Sequence, residues 1–223
     1  MKQHVLVKAI VTAFEANLND ETAIGMKAYM KDQFDYLGIK KPVRGELEKE
    51  FRKAFKELTS EEWPTVIRQL WKLPFREYQY AAIELMRLRA KELNAAHLPL
   101  LEEMIAQKSW WDSVDAIAAN LVGELLKRHP ELRFDVIEKW TGTGNFWFQR
   151  TCIIFQLKYG IKTDKKLLFE LCTRYAGEKE FFMRKAIGWA LRQYSKYDPE
   201  AVRKYVGKQP LSGLSLREAS KYL

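Results

Sequence analysis

Residues 108–115 read KSWWDSVD: two adjacent tryptophans and two nearby carboxylates in a basic chain. If a helix starts here, Trp111 and Asp115 are four residues apart and share one face, one turn from each other. Trp110 is rotated by about 100° from Trp111 and is assigned to the core or to support of the site. An indole face attracts a cation. A carboxylate stabilises positive charge as it develops during a reaction. Together the two side chains suit a cationic reacting group. Taken singly they have plainer readings: packing for Trp111, and a surface ion pair for Asp115 with Arg150 as its partner. Ser109 and Asp112 have capping-box spacing, with Ser109 as N-cap and Asp112 reaching back to it.

Two further segments combine aromatic and basic residues in a similar way. NFWFQR (145–150) sets Phe146, Trp147 and Phe148 just before Arg150. KEFFMRKAIGWALRQY (179–194) contains Phe181, Phe182 and Trp189, and Trp189 lies one helical turn after Lys185. Most of these rings belong in a core. Their recurrence beside the same basic positions is not what random core placement predicts.

The elements that position these residues are helices. Apolar residues recur at three- and four-residue steps in VIRQLWKL, LPLLEEMI, FDVIEKW and KLLFELCTRY. Breaks fall at IKKPVRG, KLPFRE, RHPEL, TGTGN and YDPE. No long linker interrupts the 223 residues, so a single domain over 1–223 with about a dozen helices is expected. Five short segments align as repeats: QYAAI, VDAIA, QRTCI, RKAIG and REASK. Their second positions are Tyr80, Asp115, Arg150, Lys185 and Glu218, at separations of 35, 35, 35 and 33. A period in this range indicates stacked helix pairs. The fold expected is all-α: a right-handed α-solenoid of HEAT-like helical repeats with a concave basic DNA-binding face. Asp115, Arg150 and Lys185 would line up along that face, with Arg184, Arg192 and Arg217 close by. The plain alternative is an ordinary solvated helix face.

Composition narrows the partners. A net charge of +9 and a pI near 9.4 suit nucleic acid or another polyanion. No apolar run approaches the length of a membrane span, and the opening MKQHVLVKAIVTAF does not read as a signal peptide. Cys152 and Cys172 lie in apolar helical runs without metal or redox spacing, and read as reduced core residues of a cytoplasmic protein. His4, His97 and His129 are scattered, and the latter two sit near prolines at expected helix ends. No metal site is expected.

SWWDSVD, NFWFQR with TCIIFQLKYG, KEFFMRKAIGWALRQY and YMKDQFDYLGIKKPVR together resemble the AlkD-type alkylpurine DNA glycosylases, bacterial HEAT-like-repeat repair enzymes. The resemblance spans essentially the whole chain and is most specific at SWWDSVD and KAIGW. It implies excision of positively charged N3- and N7-alkylated purines, 3-methyladenine and 7-methylguanine, from double-stranded DNA, leaving an abasic site. It also implies that Asp115 is the catalytic carboxylate, that Trp111 and Trp189 pack against the lesion's deoxyribose, and that Arg150 contacts DNA beside it. Tyr29 matches a tyrosine near the damaged site. Arg44, Phe181, Lys185 and Arg192 are the further DNA-binding candidates. No cofactor, metal or membrane is implied, and the protein is expected to be monomeric, cytoplasmic and associated with the nucleoid when on DNA. No lysine stands out as a Schiff-base nucleophile, so a monofunctional enzyme is expected. The stretch KKPVRG departs from the family's Thr-Pro-x-Arg-Arg pattern at Lys41 and Gly45. Some relatives keep the fold, lack the catalytic residues and bind damaged or branched DNA without chemistry. Having Trp111, Asp115, Arg150 and Trp189 together separates this chain from that group.

Overall fold

The computed structural model describes residues 3–223. The first two residues of the opening segment read above as no signal peptide lie outside the described residues. All regular structure among those residues is helical, with no strand, and no described helix is long and apolar enough to cross a membrane. The chain forms two compact units, Met1–Glu92 and Leu93–Leu223.

The first unit holds α1 (Val5–Glu15), α2 (Asp20–Tyr29), α3 (Lys41–Lys56), α4 (Glu62–Lys72) and α5 (Arg76–Leu88). Helix α1 packs on α3 and α4, and α5 packs on both α3 and α4. Their apolar faces bury Phe14, Phe55, Trp63, Ile67, Trp71 and Tyr78, as the three- and four-residue spacing requires. The segment between α2 and α3 is held by one side chain. The buried Glu77 carboxylate accepts the backbone N–H groups of Leu37, Gly38 and Ile39 at 3.0, 2.9 and 3.1 Å. Gly38 has φ +84°, and a Cβ there would lie 2.0 Å from the Asn19 carbonyl oxygen, so only glycine fits. Helix α2 buries none of its residues.

The second unit is built from helix pairs. It contains α6 (Leu98–Ala106), α7 (Trp111–Ile117), α8 (Gly123–Arg128), α9 (Arg133–Thr141), α10 (Phe146–Ile154), α11 (Lys165–Arg174), α12 (Phe181–Ser195), α13 (Pro199–Val206) and α14 (Gly213–Ala219). Helices α7, α10, α12 and α14 stack in that order; α6 lies on α7, α9 on α10, and α11 and α13 on α12. The repeat inferred from sequence is therefore physical: α5, α7, α10 and α12 begin at residues 76, 111, 146 and 181, each 35 after the last. The aligned segments fall inside these helices and not at their starts. Each helix opens a few residues earlier, within the preceding aromatic stretch.

Two glycines allow close packing between neighbours in the stack. A Cβ at Gly123 would lie 2.5 Å from the Phe155 carbonyl oxygen, and the backbone between α7 and α8 widens into a π-helical turn at Ala118–Val122. A Cβ at Gly188 would lie 2.4 Å from Cβ of Glu218 and 2.9 Å from the Ser215 carbonyl oxygen. That bare surface lets α14 lie directly on α12. Cys152 and Cys172 are buried and unpaired, and burial pushes the Cys152 thiol up to about 12. His4 caps α1, His97 takes part in a capping box before α6, and His129 ends α8, so all three histidines sit at helix ends.

Candidate functional site

The site is organised by a buried ion pair between successive stacked helices. Arg150 on α10 donates from Nε to Oδ1 of Asp115 at 2.7 Å and from Nη2 to Oδ2 at 2.8 Å. This fork-on-carboxylate geometry requires both oxygens to accept, which only the ionised acid provides. The third arm, Nη1, donates to the Phe182 carbonyl oxygen in the first turn of α12. One guanidinium thus ties α7, α10 and α12 together. Arg150 is 4% exposed and the Asp115 side chain 16%. The carboxylate is therefore open to solvent on one side, with lone pairs left over for a water. Burial pushes its pKa above the ordinary aspartate range, the Arg150 hydrogen bonds and charge pull it back, and nearby Asp112 adds a small push upward.

This arrangement corrects the reading of Arg150 as a DNA contact. All three of its donor positions point at protein acceptors and almost none of its surface reaches solvent. It positions Asp115. The capping box is corrected as well. Helix α7 begins at Trp111 with Trp110 in the extended N-cap position and no side-chain cap. Ser109 Oγ instead donates back to the Ile105 carbonyl at the end of α6, at 2.6 Å. Within α7 the four-residue spacing leaves Trp111 and Asp115 on one face, both partly exposed.

Trp110 takes the supporting place expected of it. Its ring lies edge-on to Phe182 at 5.1 Å and tilted against Trp147 at 6.0 Å. Trp147 in turn meets Phe146 at 4.5 Å and Phe182 at 5.3 Å. The rings at the starts of these stacked helices thus pack on one another, beside the carbonyl that receives Arg150. Trp189 stays partly exposed on α12, one turn from Lys185. Phe181 and Tyr29 are 53% and 70% exposed and present large ring surface to solvent.

The basic row differs from expectation. Lys185 donates to Oε1 of Glu218 at 3.1 Å, and Arg192 to Oε2 at 2.6 Å. Lys221 also reaches Glu218, at 3.0 Å. Residues aligned at the repeat period pair across adjacent helices, Asp115 with Arg150 and Lys185 with Glu218, so the row carries both signs. Arg44 is corrected too. It is 7% exposed, bound to Glu48 at 3.0 Å and stacked over the Tyr80 ring at 4.5 Å, which leaves it no surface for a phosphate. Arg184, also expected near the row, donates to Ser212 Oγ at 3.0 Å. The exposed Lys158, not singled out from the sequence, donates to the neutral Asn120 side chain.

The hydrogen bonds and charges of Lys221 and Lys185 draw the Glu218 pKa down to about 2. The folded value lies below the ordinary 4.5, so its contribution to stability is complete above about pH 4.5 and is lost as pH falls toward about 2. Acid unfolding followed by circular dichroism is expected to steepen across that window, and Glu218→Gln to flatten it. An unchanged profile in the variant rules out Glu218 as a source of the acid sensitivity.

Residues 10–223 match the family model described as DNA alkylation repair enzyme. The chain belongs to the DNA alkylation repair enzyme family. Among solved structures it is similar to a predicted DNA alkylation repair enzyme from Enterococcus faecalis, with 36% identity and a TM-score of 0.87, over 92% of this chain and 96% of that one. It also shares its fold with smu.31 from Streptococcus mutans UA159, at 17% identity and a TM-score of 0.62, over 81% of this chain and 97% of that one. No curated protein matches. Membership of the family makes DNA the substrate and alkylation repair the role.

Proposed function

We propose that this member of the family is a monofunctional alkylpurine DNA glycosylase, hydrolysing the N-glycosidic bond of N3- and N7-alkylated purines in duplex DNA, 3-methyladenine and 7-methylguanine among them. The observation that carries the reading is Asp115, ionised in the Arg150 fork, open on one side, and sharing a helix face with an indole.

The chemistry follows from the charge of the lesion. An alkylated purine is already cationic, so it leaves as a neutral base when the C1′–N bond electrons return to the ring. No general acid has to protonate it. The barrier lies in the positive charge left on the sugar. A carboxylate near that sugar stabilises the charge by direct electrostatics, strengthened in a site from which water is partly excluded. The indole faces of Trp111 and Trp189 add cation–π attraction. Water then forms a bond to C1′ and passes its proton to bulk solvent, with a lone pair of Asp115 to orient it. No covalent link to the protein forms, and the product is an abasic site. Tyr29 and Phe181 supply exposed rings for the duplex, and the net charge of +9 draws the polyanion in.

The deciding experiment is release of free 7-methylguanine and 3-methyladenine from methylated duplex DNA, read by chromatography of the freed purine. Release with concomitant abasic sites is expected. Duplex binding without release would instead assign the chain to the non-catalytic DNA-binding relatives.

A further inference from the structure

We propose that Glu218 is a specificity-determining residue that withholds Lys185 and Arg192 from the phosphates of undamaged duplex. This rests on the reading of the protein as a duplex-DNA glycosylase. The Glu218 side chain is 8% exposed, and it sits beneath three cations that are 39%, 23% and 47% exposed: Lys185, Arg192 and Lys221. Lys185 and Arg192 are seven residues apart on α12 with Trp189 between them, so all three share one face. An approaching phosphate meets that face where each cation already gives one of its donors to the same carboxylate. The acid is held there by the α12–α14 contact, its Cβ against the bare backbone of Gly188.

The placement matters because binding to undamaged DNA is set by the number of phosphates neutralised. Undamaged sites vastly outnumber lesions, and a repair enzyme that grips them tightly is titrated away from its target. A buried acid under the α12 cations lowers that sequence-independent affinity and leaves the Asp115–Arg150 pair untouched. A simple structural clamp makes the opposite forecast, since loosening α14 would weaken binding.

The test is binding of a short undamaged duplex across a KCl series, by fluorescence anisotropy, for wild type and Glu218→Gln. Tighter binding at low salt is expected, with the slope of log affinity against log salt steeper by about 0.9 for each cation released. Glu218→Asp keeps the charge and is expected to stay close to the wild-type slope. An equal or shallower slope in Glu218→Gln overturns the proposal. If that variant does not fold, Lys185→Ala decides. A withheld lysine costs well under one unit of slope, whereas loss of about one unit marks a direct phosphate contact and overturns the proposal. Base release is scored on the same wild-type protein. Salt-sensitive duplex binding without release sinks the glycosylase reading and leaves this proposal to its own slope test, while absence of duplex binding overturns both.

Discussion

Asp115→Asn is expected to lower excision of 7-methylguanine from methylated duplex by two to three orders of magnitude, on the order of 3–4 kcal/mol of transition-state stabilisation. Asparagine has the same shape but no charge. It keeps one oxygen to accept from Arg150 and offers a donating amide where the second oxygen stood, so one arm of the fork is lost. A stability loss of about 1–3 kcal/mol follows from leaving a buried guanidinium donor unsatisfied. Single-turnover base release below the variant's melting temperature separates the two effects. Duplex affinity should change little, because in the proposed reaction the carboxylate serves the sugar and not the phosphates. Wild-type excision by Asp115→Asn would remove this residue from the mechanism. In the wild-type enzyme the acid must be ionised to act. Because burial raises its pKa above the ordinary aspartate value, excision should fall off on the acid side at a higher pH than a solvent-exposed aspartate would give.

Arg150→Ala is expected to be the most damaging substitution to the fold. It leaves the largely buried Asp115 carboxylate without its partner, and breaking one half of a buried pair costs about 3–5 kcal/mol. The Phe182 carbonyl loses its tether as well. For a chain of this size the melting temperature should drop by on the order of 10 °C. Excision should fall with it, and its acid limb should move to higher pH, because the group that held the Asp115 pKa down is gone. Arg150→Lys should recover part of the stability and little of the rate, since an ammonium cannot reproduce a two-pronged fork. If Arg150→Ala melts like wild type and merely flattens the salt dependence of duplex binding, the positioning role is wrong and the residue is a phosphate contact after all.

Helical periodicity and the 35-residue spacing made the stack legible, because burying one stripe per helix forces that pattern on the sequence. Asp115 and Trp111 were legible for a related reason: four-residue spacing puts two side chains on one face whatever else the chain does. The Asp115–Arg150 pair was legible as the plainer reading of Asp115, whereas the Lys185–Glu218 pair was not. Asp115 with Arg150, and Lys185 with Glu218, stand at equivalent positions with opposite charges, and that complementarity was present in the repeat alignment. A basic strip with Asp115 in it, open to a DNA backbone, was the reading drawn from it. Whether a long cation reaches solvent or bends to a neighbouring acid depends on the distance between adjacent helices, and that distance is set at Gly123 and Gly188, whose open space sequence does not display. Arg44 shows the same limit, since its burial against Glu48 and Tyr80 depends on a contact 36 residues away. Ser109 illustrates a local one: its hydroxyl donates to the Ile105 carbonyl closing α6, and α7 starts without its oxygen accepting from a first-turn N–H.

Arg150 reaches one residue in each of two flanking helices, Asp115 in α7 and Phe182 in α12. The acid's location is thereby gauged against two repeats at once. A change in the rise between these helices lengthens the fork before it disturbs the apolar layers, so the spacing of α7, α10 and α12 and the aim of the Asp115 oxygens form a single mechanical variable.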